Sequence, residues 1–231
     1  DVNWLKNNFG FGETCDYIDE LMVTLVTKNP DKNEILNYFS DVKKLKEKVF
    51  VPIILGGGIR TFEQAKNCFS NGADKILINH LAHEKSEIIN QVSKVYGDQA
   101  VTLMVDYKKK DNTNYSYCNS AENKSFTLKN YFQNIQNLNY GELIINSIQK
   151  DGSAQGLNLD CLDDFSNGFN KPILLMGGAG KPEHFISALK KNMVSGVVTA
   201  NLFNFLGDGL KKARAFSIKN GIRLIEFQNI L

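Results

Sequence analysis

One aspartate follows an apolar run in a way that suits acid–base chemistry. Asp106 comes directly after Leu103-Met-Val, which is typical of the end of a buried strand. Burial withdraws a carboxylate from water and raises its pKa, which favours use as a general acid. The alternatives are that Asp106 caps a helix or forms an ion pair with Lys108. We take catalysis as the preferred interpretation.

Two glycine clusters at the ends of apolar runs are suited to bind phosphate. The first closes Val51-Pro-Ile-Ile-Leu-Gly-Gly-Gly58 and precedes a predicted helix start at Thr61, with Gln64 completing a capping box. The second closes Pro172-Ile-Leu-Leu-Met-Gly-Gly-Ala-Gly180, and Pro182 stands where a first helical residue often does. Glycine lets a ligand approach the backbone, and a helix N-terminus offers free N–H groups to an anion. The alternative is that the glycines only close tight turns.

The segments around the glycine clusters repeat as well. Asn71-Gly-Ala-Asp-Lys-Ile-Leu-Ile-Asn79 aligns with Asn192-Met-Val-Ser-Gly-Val-Val-Thr-Ala200 without a gap. Upstream, Asp19-Glu-Leu-Met-Val23 corresponds to Gly141-Glu-Leu-Ile-Ile145. Two copies of a strand–helix unit indicate a barrel made of two halves. The repeat makes phosphate binding at both clusters the preferred interpretation.

Three charged residues stand at the starts of alternate predicted strands, namely Glu20, Lys75 and Glu142. Charges inside apolar strands are costly unless they are paired. We therefore expect the three side chains to satisfy one another at one end of a barrel. The alternative is ordinary solvent exposure, which is common at strand starts.

A metal site is a further hypothesis. His80 and His83 can share one helical face with Asp106 nearby, and a metal-dependent phosphosugar lyase or epimerase would use such ligands. No clear third and fourth ligand follows, although a structural site needs about four and a catalytic one about three. We predict no metal and no organic cofactor, and expect His80 to contact phosphate. His184 is interpreted as a helix-face or substrate-edge residue.

Composition limits the class of protein. The chain has 231 residues, which suits one barrel domain over residues 1–231, and 42% of them are hydrophobic, enough for a sizeable core. The net charge of +2 and the dispersed lysines indicate neither a nucleic-acid nor a membrane-surface partner. No apolar run approaches the ~18 residues of a membrane span, and the 231 residues contain no signal-peptide pattern. The cysteines form no CxxC or metal spacing, which predicts a reduced cytoplasmic protein.

Apolar periodicity predicts about seven strands that alternate with helices, and hence a parallel sheet in a (β/α)₈ TIM barrel. The predicted strands are 18–26, 51–55, 75–79, 100–107, 142–148, 172–176 and 196–200. The predicted helices are 1–17, 33–48, 62–71, 83–95, 128–137, 159–166, 183–191 and 208–220. The polar segment Lys108–Ser125 has hairpin character around Asp111-Asn-Thr-Asn114.

A closed barrel of this kind has eight strands, and this chain begins on a predicted helix and on Asp1. We therefore expect a first strand and its loop, roughly 25–30 residues, to precede Asp1 in the full protein. The alternative is an open seven-stranded sheet, which is disfavoured because an uncovered parallel edge is a liability.

With these motifs in place, the chain resembles the cyclase subunit of imidazole glycerol phosphate synthase from Tyr17 to the C-terminus. The most specific segments are Gly56-Gly-Gly-Ile-Arg60, Gly72-Ala-Asp-Lys-Ile-Leu-Ile-Asn79, Gly141-Glu-Leu-Ile-Ile-Asn-Ser-Ile148 with Asp151-Gly-Ser153, and Gly177-Gly-Ala-Gly-Lys-Pro-Glu-His-Phe185. In that family a glutaminase subunit or domain releases ammonia, which crosses the barrel along its axis. At the other end the ammonia reacts with a bisphosphorylated ribonucleotide, giving imidazole glycerol phosphate and an aminoimidazole nucleotide in histidine biosynthesis.

The resemblance assigns roles to individual residues. It implies that Asp106 is one of an acid/base pair, whose partner would lie on the strand expected before Asp1. Glu20, Lys75 and Glu142 would form the ammonia gate, and Asp74 would face the glutaminase. The residues implied to bind phosphate or substrate are Gly57, Gly58, Asn79, His80, Asp151, Gly152, Ser153, Gly178, Ala179, Ala200 and Asn201.

Four residues depart from the family pattern, and all are on the substrate side: His80, Asn146, Gln149 and Asn201. The family has a hydroxyl residue in place of His80, Asn146 and Asn201, and an acidic one in place of Gln149. An intact ammonia side with an altered substrate side also fits a side branch of the family. In that branch, ammonia amidinates an acetamido sugar for surface polysaccharides. A third class, a catalytically idle scaffold for the glutaminase, is disfavoured by the presence of Asp106 and Asp151.

Overall fold

The computed structural model describes residues 17–47, 49–79, 82, 86–118, 123–165, 168–200 and 208–225. Strands and helices alternate along them. The strands are β1 (Leu21–Thr24), β2 (Ile53–Gly56), β3 (Lys75–Ile78), β4 (Val101–Lys110), β5 (Thr113–Cys118), β6 (Asn123–Thr127), β7 (Glu142–Ser147), β8 (Ile173–Met176) and β9 (Val194–Val198). The helices are α1 (Lys32–Lys46), α2 (Phe62–Ser70), α3 (Ser86–Tyr96), α4 (Leu128–Ile135), α5 (Pro182–Leu189) and α6 (Gly209–Lys219).

One sheet holds all the described strands. Its main path runs β1-β2-β3-β4-β7-β8-β9, and every neighbouring pair on this path is parallel. The sheet curls with helices between the strands, which confirms the predicted α/β fold of the TIM-barrel type. None of the helices in the described ranges combines the length and the hydropathy needed to cross a membrane.

The polar segment after β4 forms two additional strands. β4 continues to Lys110, and β5 and β6 fold back antiparallel as a hairpin beside it. Asp111 and Asn112 both have positive φ values, of 48° and 61°, as a two-residue hairpin turn requires. The predicted hairpin is confirmed. Asp106 lies near the end of the part of β4 that pairs in parallel with β7, and the strand then continues into the hairpin.

Other element bounds differ from the predicted ones. The strand predicted over 18–26 is confined to Leu21–Thr24, and Val26 beyond it is 87% exposed. The strand predicted over 196–200 begins two residues earlier, at Val194. The short helix predicted over 159–166 is a 3₁₀ helix at Asp160–Asp164. The helix predicted over 1–17 lies outside the described residues, except for Tyr17.

The strands bury both faces, in two separate clusters. One cluster joins alternate strand residues, such as Ile53, Ile76 and Leu143, to the inner sides of the helices. Burial on two faces is typical of parallel strands in α/β folds. The second cluster occupies the face turned away from the helices and contains Met22, Ile54, Leu77, Met104, Ile144, Leu174, Met176 and Val198.

The alternation of side chains places polar residues at both ends of this second cluster. On β7 the residues that share the face are Glu142, Ile144 and Asn146, in that order. From the amino end to the carboxyl end, the face is thus charged, then apolar, then polar. Two other strands repeat the order, with Thr102, Met104 and Asp106 on β4, and Lys75 and Leu77 on β3 followed by Asn79.

Candidate active site

Asp106 is held by two side-chain amides at the carboxyl end of the sheet. Asn79 Nδ2 donates to Asp106 Oδ2 at 2.8 Å, and Asn146 Nδ2 donates to Asp106 Oδ1 at 2.8 Å. The three residues come from adjacent strands, because β3 and β7 both pair with β4. Asp106 therefore does not cap a helix, and its two oxygens are engaged by amides and not by Lys108.

The surroundings of Asp106 shift its pKa upward on balance. Burial raises the pKa of this carboxyl above its ordinary value, and the hydrogen bonds from Asn146 and Asn79 offset only part of that effect. The negative charge of Asp151 raises the pKa further, while Lys108 lowers it. The Lys108 ammonium lies over the ring of Tyr117, 5.1 Å from its centre. A carboxyl with a raised pKa is suited to donate a proton near neutral pH.

Glycine loops lie on both sides of this group. The sheet order β2-β3-β4-β7-β8 gives a row of five strand ends, of which the first and the last carry the glycine clusters. The middle three carry Asn79, Asp106 and Asn146. A ligand with two anionic ends, one at each glycine loop, would therefore pass over Asp106.

The glycines divide into crowded and open positions. A Cβ on Gly57 would come within 2.1 Å of the Leu25 carbonyl oxygen, and one on Gly178 within 2.2 Å of the Gly156 oxygen. Glycine is required at these two positions because another part of the backbone passes close by, as expected if the glycines close tight turns. Gly58 and Gly152 also have positive φ, but a Cβ on either would meet no atom within 4 Å. Their surroundings leave room for a ligand.

The first loop leads into a capped helix. Thr61 Oγ1 accepts a hydrogen bond from Gln64 N at 3.2 Å, so Thr61 is the N-cap of α2 as predicted. The Gln64 side chain accepts instead from Arg60 N, one residue before the cap. The α2 N-terminus is thus fixed close to Gly57 and Gly58.

The second loop forms part of a small cleft. Five of the residues predicted to bind phosphate or substrate line it, together with Gly177, Thr199 and two apolar residues. Ser153 lies beside the cleft, and its hydroxyl donates to Lys150 O and accepts from Gln155 N, which holds the loop. The five predicted residues are Asp151, Gly152, Gly178, Ala179 and Ala200.

Some predicted residues lie elsewhere or outside the description. The Asn79 amide donates a hydrogen bond to Asp106, and its contact with a ligand stays a prediction. His80, His83 and Asn201 lie outside the described residues. Among the residues that are described, no three His, Cys, Asp or Glu side chains are grouped closely enough to hold a metal ion.

His184 supports the second glycine loop. Its Nδ1 accepts a hydrogen bond from Gly180 N at 3.1 Å. Burial, followed by the charge of Lys181, lowers the pKa of the imidazole, so the neutral form that this contact needs is favoured. His184 is a helix-face residue that supports the loop.

At the amino end of the sheet, Lys75 joins two carboxylates. Its ammonium lies 2.6 Å from Glu20 Oε1 and 2.9 Å from Glu142 Oε1, with Lys75 19% exposed and Glu142 13% exposed. Thr102 Oγ1 donates to the same Glu142 oxygen at 2.6 Å. We call Glu20, Lys75 and Glu142 the basal ion cluster.

Burial shifts the pKa values of the Glu20 carboxyl and the Lys75 ammonium in opposite directions. Burial raises the pKa of Glu20, and the hydrogen bond from Lys75 opposes that shift. Burial alone would lower the pKa of Lys75, but its hydrogen bonds to Glu20 and Glu142 outweigh it, so the pKa is raised. Lys75 is therefore a firmly charged group between two carboxylates.

Asp74, just before β3, has a structural contact. Its Oδ2 accepts from Ile53 N at 2.8 Å, and its own N donates to Ile53 O at 2.9 Å. Asp74 therefore fixes the start of β2 against β3. The residue is exposed, and its role toward a glutaminase stays a prediction.

Two side-chain contacts that involve β4 were not predicted from the sequence. Thr102, fully buried, gives no signal beyond its place two residues before Met104 on the inward face. Gln149 was identified in the sequence only as a departure from the family pattern. In the structure, its amide makes two hydrogen bonds to the backbone of a single residue of β4. Gln149 Oε1 accepts from Lys109 N at 2.8 Å, and its Nε2 donates to Lys109 O at 3.3 Å.

Comparison with known proteins gives consistent matches. A family model described as histidine biosynthesis protein matches residues 17–207. A protein of Parasynechococcus marenigrum, provisionally named imidazole glycerol phosphate synthase subunit hisF2, is 34% identical over 217 residues, which is 93% of this chain and 79% of that protein. The imidazole glycerol phosphate synthase subunit HisF of Hydrogenobaculum sp. is 28% identical over 209 residues, 89% of this chain and 82% of its own. The subunit HisF of Chlorobium limicola is 30% identical over 183 residues, 79% of this chain and 73% of its own.

Proposed function

This chain belongs to the histidine biosynthesis protein family, and from that premise we propose that it is the cyclase enzyme of an imidazole glycerol phosphate synthase. It would combine ammonia with a bisphosphorylated ribonucleotide, and release imidazole glycerol phosphate and an aminoimidazole nucleotide. The observation that carries the proposal is the row of strand ends in which Asp106 lies between two glycine loops. The relatives named HisF support it independently.

Asp106 is the acid in this proposal. Its raised pKa keeps a proton available, and the carboxylate left after proton transfer is received by the amides of Asn79 and Asn146. Proton transfer from a positioned group contributes typically about 10²–10⁴-fold in rate. The same amides hold the carboxyl in place at the carboxyl end of the sheet.

The two glycine loops would hold the two phosphates. Gly58 with the capped start of α2 would hold one of them, and Gly152 with Gly178 and Ala179 would hold the other. Open space at Gly58 and Gly152 supports this assignment, because backbone N–H groups there can approach an anion without a side chain in the way. Asn79, His80, Ser153, Ala200 and Asn201 stay predicted contacts of the substrate.

Ammonia would enter at the basal ion cluster and travel to Asp106. Between the two lies the apolar layer that includes Leu77, Met104 and Ile144. A neutral small molecule crosses such a layer more readily than an ion does, because a charge without a partner is costly there. We propose a glutaminase subunit as the source of ammonia and as the partner at the amino end of the sheet, near Asp74.

A second candidate is the amidination of an acetamido sugar with ammonia from the same route. It is favoured by Asn146, which departs from the family pattern and contacts Asp106 directly. Gln149, another departure, lies three residues further along and contacts β4. The change at Asn146 thus borders the acid, where substrate chemistry would differ.

Turnover of the full-length protein tests the proposal. The protein is given saturating ammonium at high pH with the histidine-pathway bisphosphate substrate, and release of the aminoimidazole nucleotide is followed. We expect turnover without any glutaminase. If no product forms while an acetamido nucleotide sugar is amidinated, the second candidate is correct. If neither substrate reacts, the catalytic assignment is wrong.

A further inference from the structure

Asn146 connects Asp106 to the second glycine loop. Its Nδ2 donates to Asp106 Oδ1 at 2.8 Å, and the side chain is 6% exposed. Its Oδ1 is buried and has no hydrogen-bond partner among the described residues. A Cβ built on Gly177 would come within 3.0 Å of that oxygen, so the amide lies between the acid and the loop.

Asn79 holds the other carboxylate oxygen in the same way. Its Nδ2 donates to Asp106 Oδ2 at 2.8 Å, and its Oδ1 is also buried without a partner in the described part of the chain. Each asparagine thus uses its donor and leaves its acceptor unused. Half a turn of either amide would offer Asp106 an acceptor without breaking any other side-chain hydrogen bond of that amide.

The two orientations of the amide suit the two forms of the acid. An ionised carboxylate only accepts hydrogen bonds, whereas a protonated one also donates through its O–H. The observed donor orientation therefore matches ionised Asp106. A turned Asn146 would present Oδ1 to the O–H of protonated Asp106 and would leave Nδ2 next to Gly177.

We propose that Asn146 is a positioning residue that controls the proton on Asp106, holding the ionised form as a donor and the protonated form as an acceptor. Only the kinetic part of the test rests on the proposed function. The hydroxyl residue that the resemblance leads one to expect at this position is one atom shorter. The contact with Asp106 therefore depends on the asparagine that this chain has at position 146.

The other groups that face Asp106 set the background for this effect. Lys108 on β4 contributes a positive charge, and Asp151 after β7 contributes a negative one. Tyr131 on α4 is close enough for its own pKa to respond to Asp106. None of these three is changed in the variants proposed below.

Carboxyl titration of the full-length protein tests the proposal without substrate. The protein is labelled with ¹³C at the aspartate carboxyls, and the Asp106 resonance is assigned as the one lost in Asp106→Asn. Asn146→Leu removes the contact with both forms of Asp106. The hydrogen bond to the ionised form is the stronger of the two because it is charge-assisted, so we expect the pKa of Asp106 to rise by about one pH unit. In Asn146→Thr, which keeps a polar side chain, we expect a smaller rise; this variant decides the matter if the leucine variant does not fold.

Asn114→Leu is the matched control. Asn114 is likewise 6% exposed, and its Nδ2 donates to Asp164 Oδ2 at 2.7 Å. We expect the pKa of Asp164 to rise in this variant and that of Asp106 to stay unchanged. The proposal is overturned if the pKa of Asp106 moves by less than about 0.3 unit in both Asn146 variants, or equally in Asn114→Leu.

A kinetic measurement extends the test to catalysis. With ammonia held at saturation at each pH, the alkaline limb of kcat/KM for the bisphosphate substrate should move to higher pH in Asn146→Leu by the same amount as the titration. An unmoved limb with a shifted pKa would show that Asn146 does not control the catalytic proton. If the unaltered protein has no turnover, the proposed function fails, while the titration still decides the role of Asn146.

Discussion

The two ends of the sheet hold buried charge in opposite ways. At the amino end, Lys75 is surrounded by Glu20 and Glu142, so each charge has an ionic partner. At the carboxyl end, Asp106 is held by Asn79 and Asn146, which are neutral. In the basal ion cluster one ammonium lies between two carboxylates, whereas the hydrogen bonds to ionised Asp106 come from neutral amides.

This difference matches two kinds of task. Paired opposite charges stay ionised over a wider pH range than unpaired ones, because each favours the charged form of the other. A lone carboxyl among neutral donors keeps a raised pKa and can exchange a proton. The apolar layer around Met104 and Ile144 separates the two regions and keeps their charges apart.

The largest expected effect comes from replacing Asp106, the proposed proton donor. Asp106→Asn should lower ammonia-dependent turnover by about 10²–10⁴-fold, since the proton donor is lost. The protein should still fold and bind the phosphates, because the glycine loops are untouched. Steady-state kinetics and phosphate-ligand binding check this.

Asp164→Asn is the control for that variant. Asp164 is also a carboxyl whose pKa is raised by burial, and it is held by Asn114. Because it lies outside the row of strand ends, its variant should keep nearly full turnover. A full rate in Asp106→Asn would remove Asp106 from the acid role.

The next effect concerns the basal ion cluster. Lys75→Met leaves two partly buried carboxylates without a cation, and should lower the free energy of unfolding by about 2–3 kcal/mol at neutral pH. Lys44→Met, which breaks an exposed pair with Asp41, should cost less than about 0.5 kcal/mol. Urea denaturation measures both variants.

The pH dependence of Lys75→Met has a definite sign. In the unaltered protein, the pKa of Lys75 is higher in the folded state than in the unfolded state. The resulting stability is fully present at pH values below the unfolded-state pKa and is lost as the pH rises through the folded-state pKa. Without Lys75, the hydrogen bond that opposes the effect of burial on Glu20 is lost and the pKa of Glu20 in the folded protein rises further, so the loss should shrink as the pH falls. Adding Glu20→Gln should restore part of the stability at neutral pH. A loss that is the same at all pH values would exclude charge as its cause.

A smaller effect separates the two kinds of glycine. Gly178→Ala forces a Cβ against the Gly156 oxygen and should cost about 2–3 kcal/mol. Gly58→Ala meets no atom but keeps a positive φ, and should cost about 1 kcal/mol. Thermal unfolding compares them. Equal losses would contradict the division into crowded and open positions.

The smallest effect is expected at Gln149. Gln149→Glu keeps the acceptor for Lys109 N but loses the donor to Lys109 O, and should cost about 0.5–1 kcal/mol. Gln155→Glu, in the same loop, is the control and should leave stability unchanged. If the two variants unfold alike, the contact with β4 adds nothing to stability.

The sequence predicted the fold and the residues near the site better than it predicted their contacts. Strand–helix alternation and the repeat gave the parallel sheet, and charges inside apolar strands indicated that Glu20, Lys75 and Glu142 belong together. The contact between Asp106 and Asn146 depends on the register of β4 against β7, which are separated in sequence by the β5–β6 hairpin. Register across such an insertion is not encoded by local residue pattern.

Strand ends were predicted less well for a related reason. The strand predicted to end at Tyr107 continues to Lys110, because its last residues pair with β5 and not with a parallel neighbour. Polar residues such as Lys108 look like a loop in sequence, yet a hairpin partner satisfies their backbone groups. Gln149 likewise appeared only as a departure from the family, because its partner is the backbone of Lys109.

The most direct test of separate roles for Lys75 and Asp106 compares glutamine-supported and ammonium-supported turnover in two variants. Asp106→Asn and Lys75→Met are each assayed with the glutaminase subunit and glutamine, and again with saturating ammonium alone. We expect that Asp106→Asn loses both activities together, whereas Lys75→Met loses glutamine-supported turnover far more than ammonium-supported turnover. If Lys75→Met lowers both rates equally while its fold is intact, the separation of an ammonia entrance from a catalytic end is contradicted.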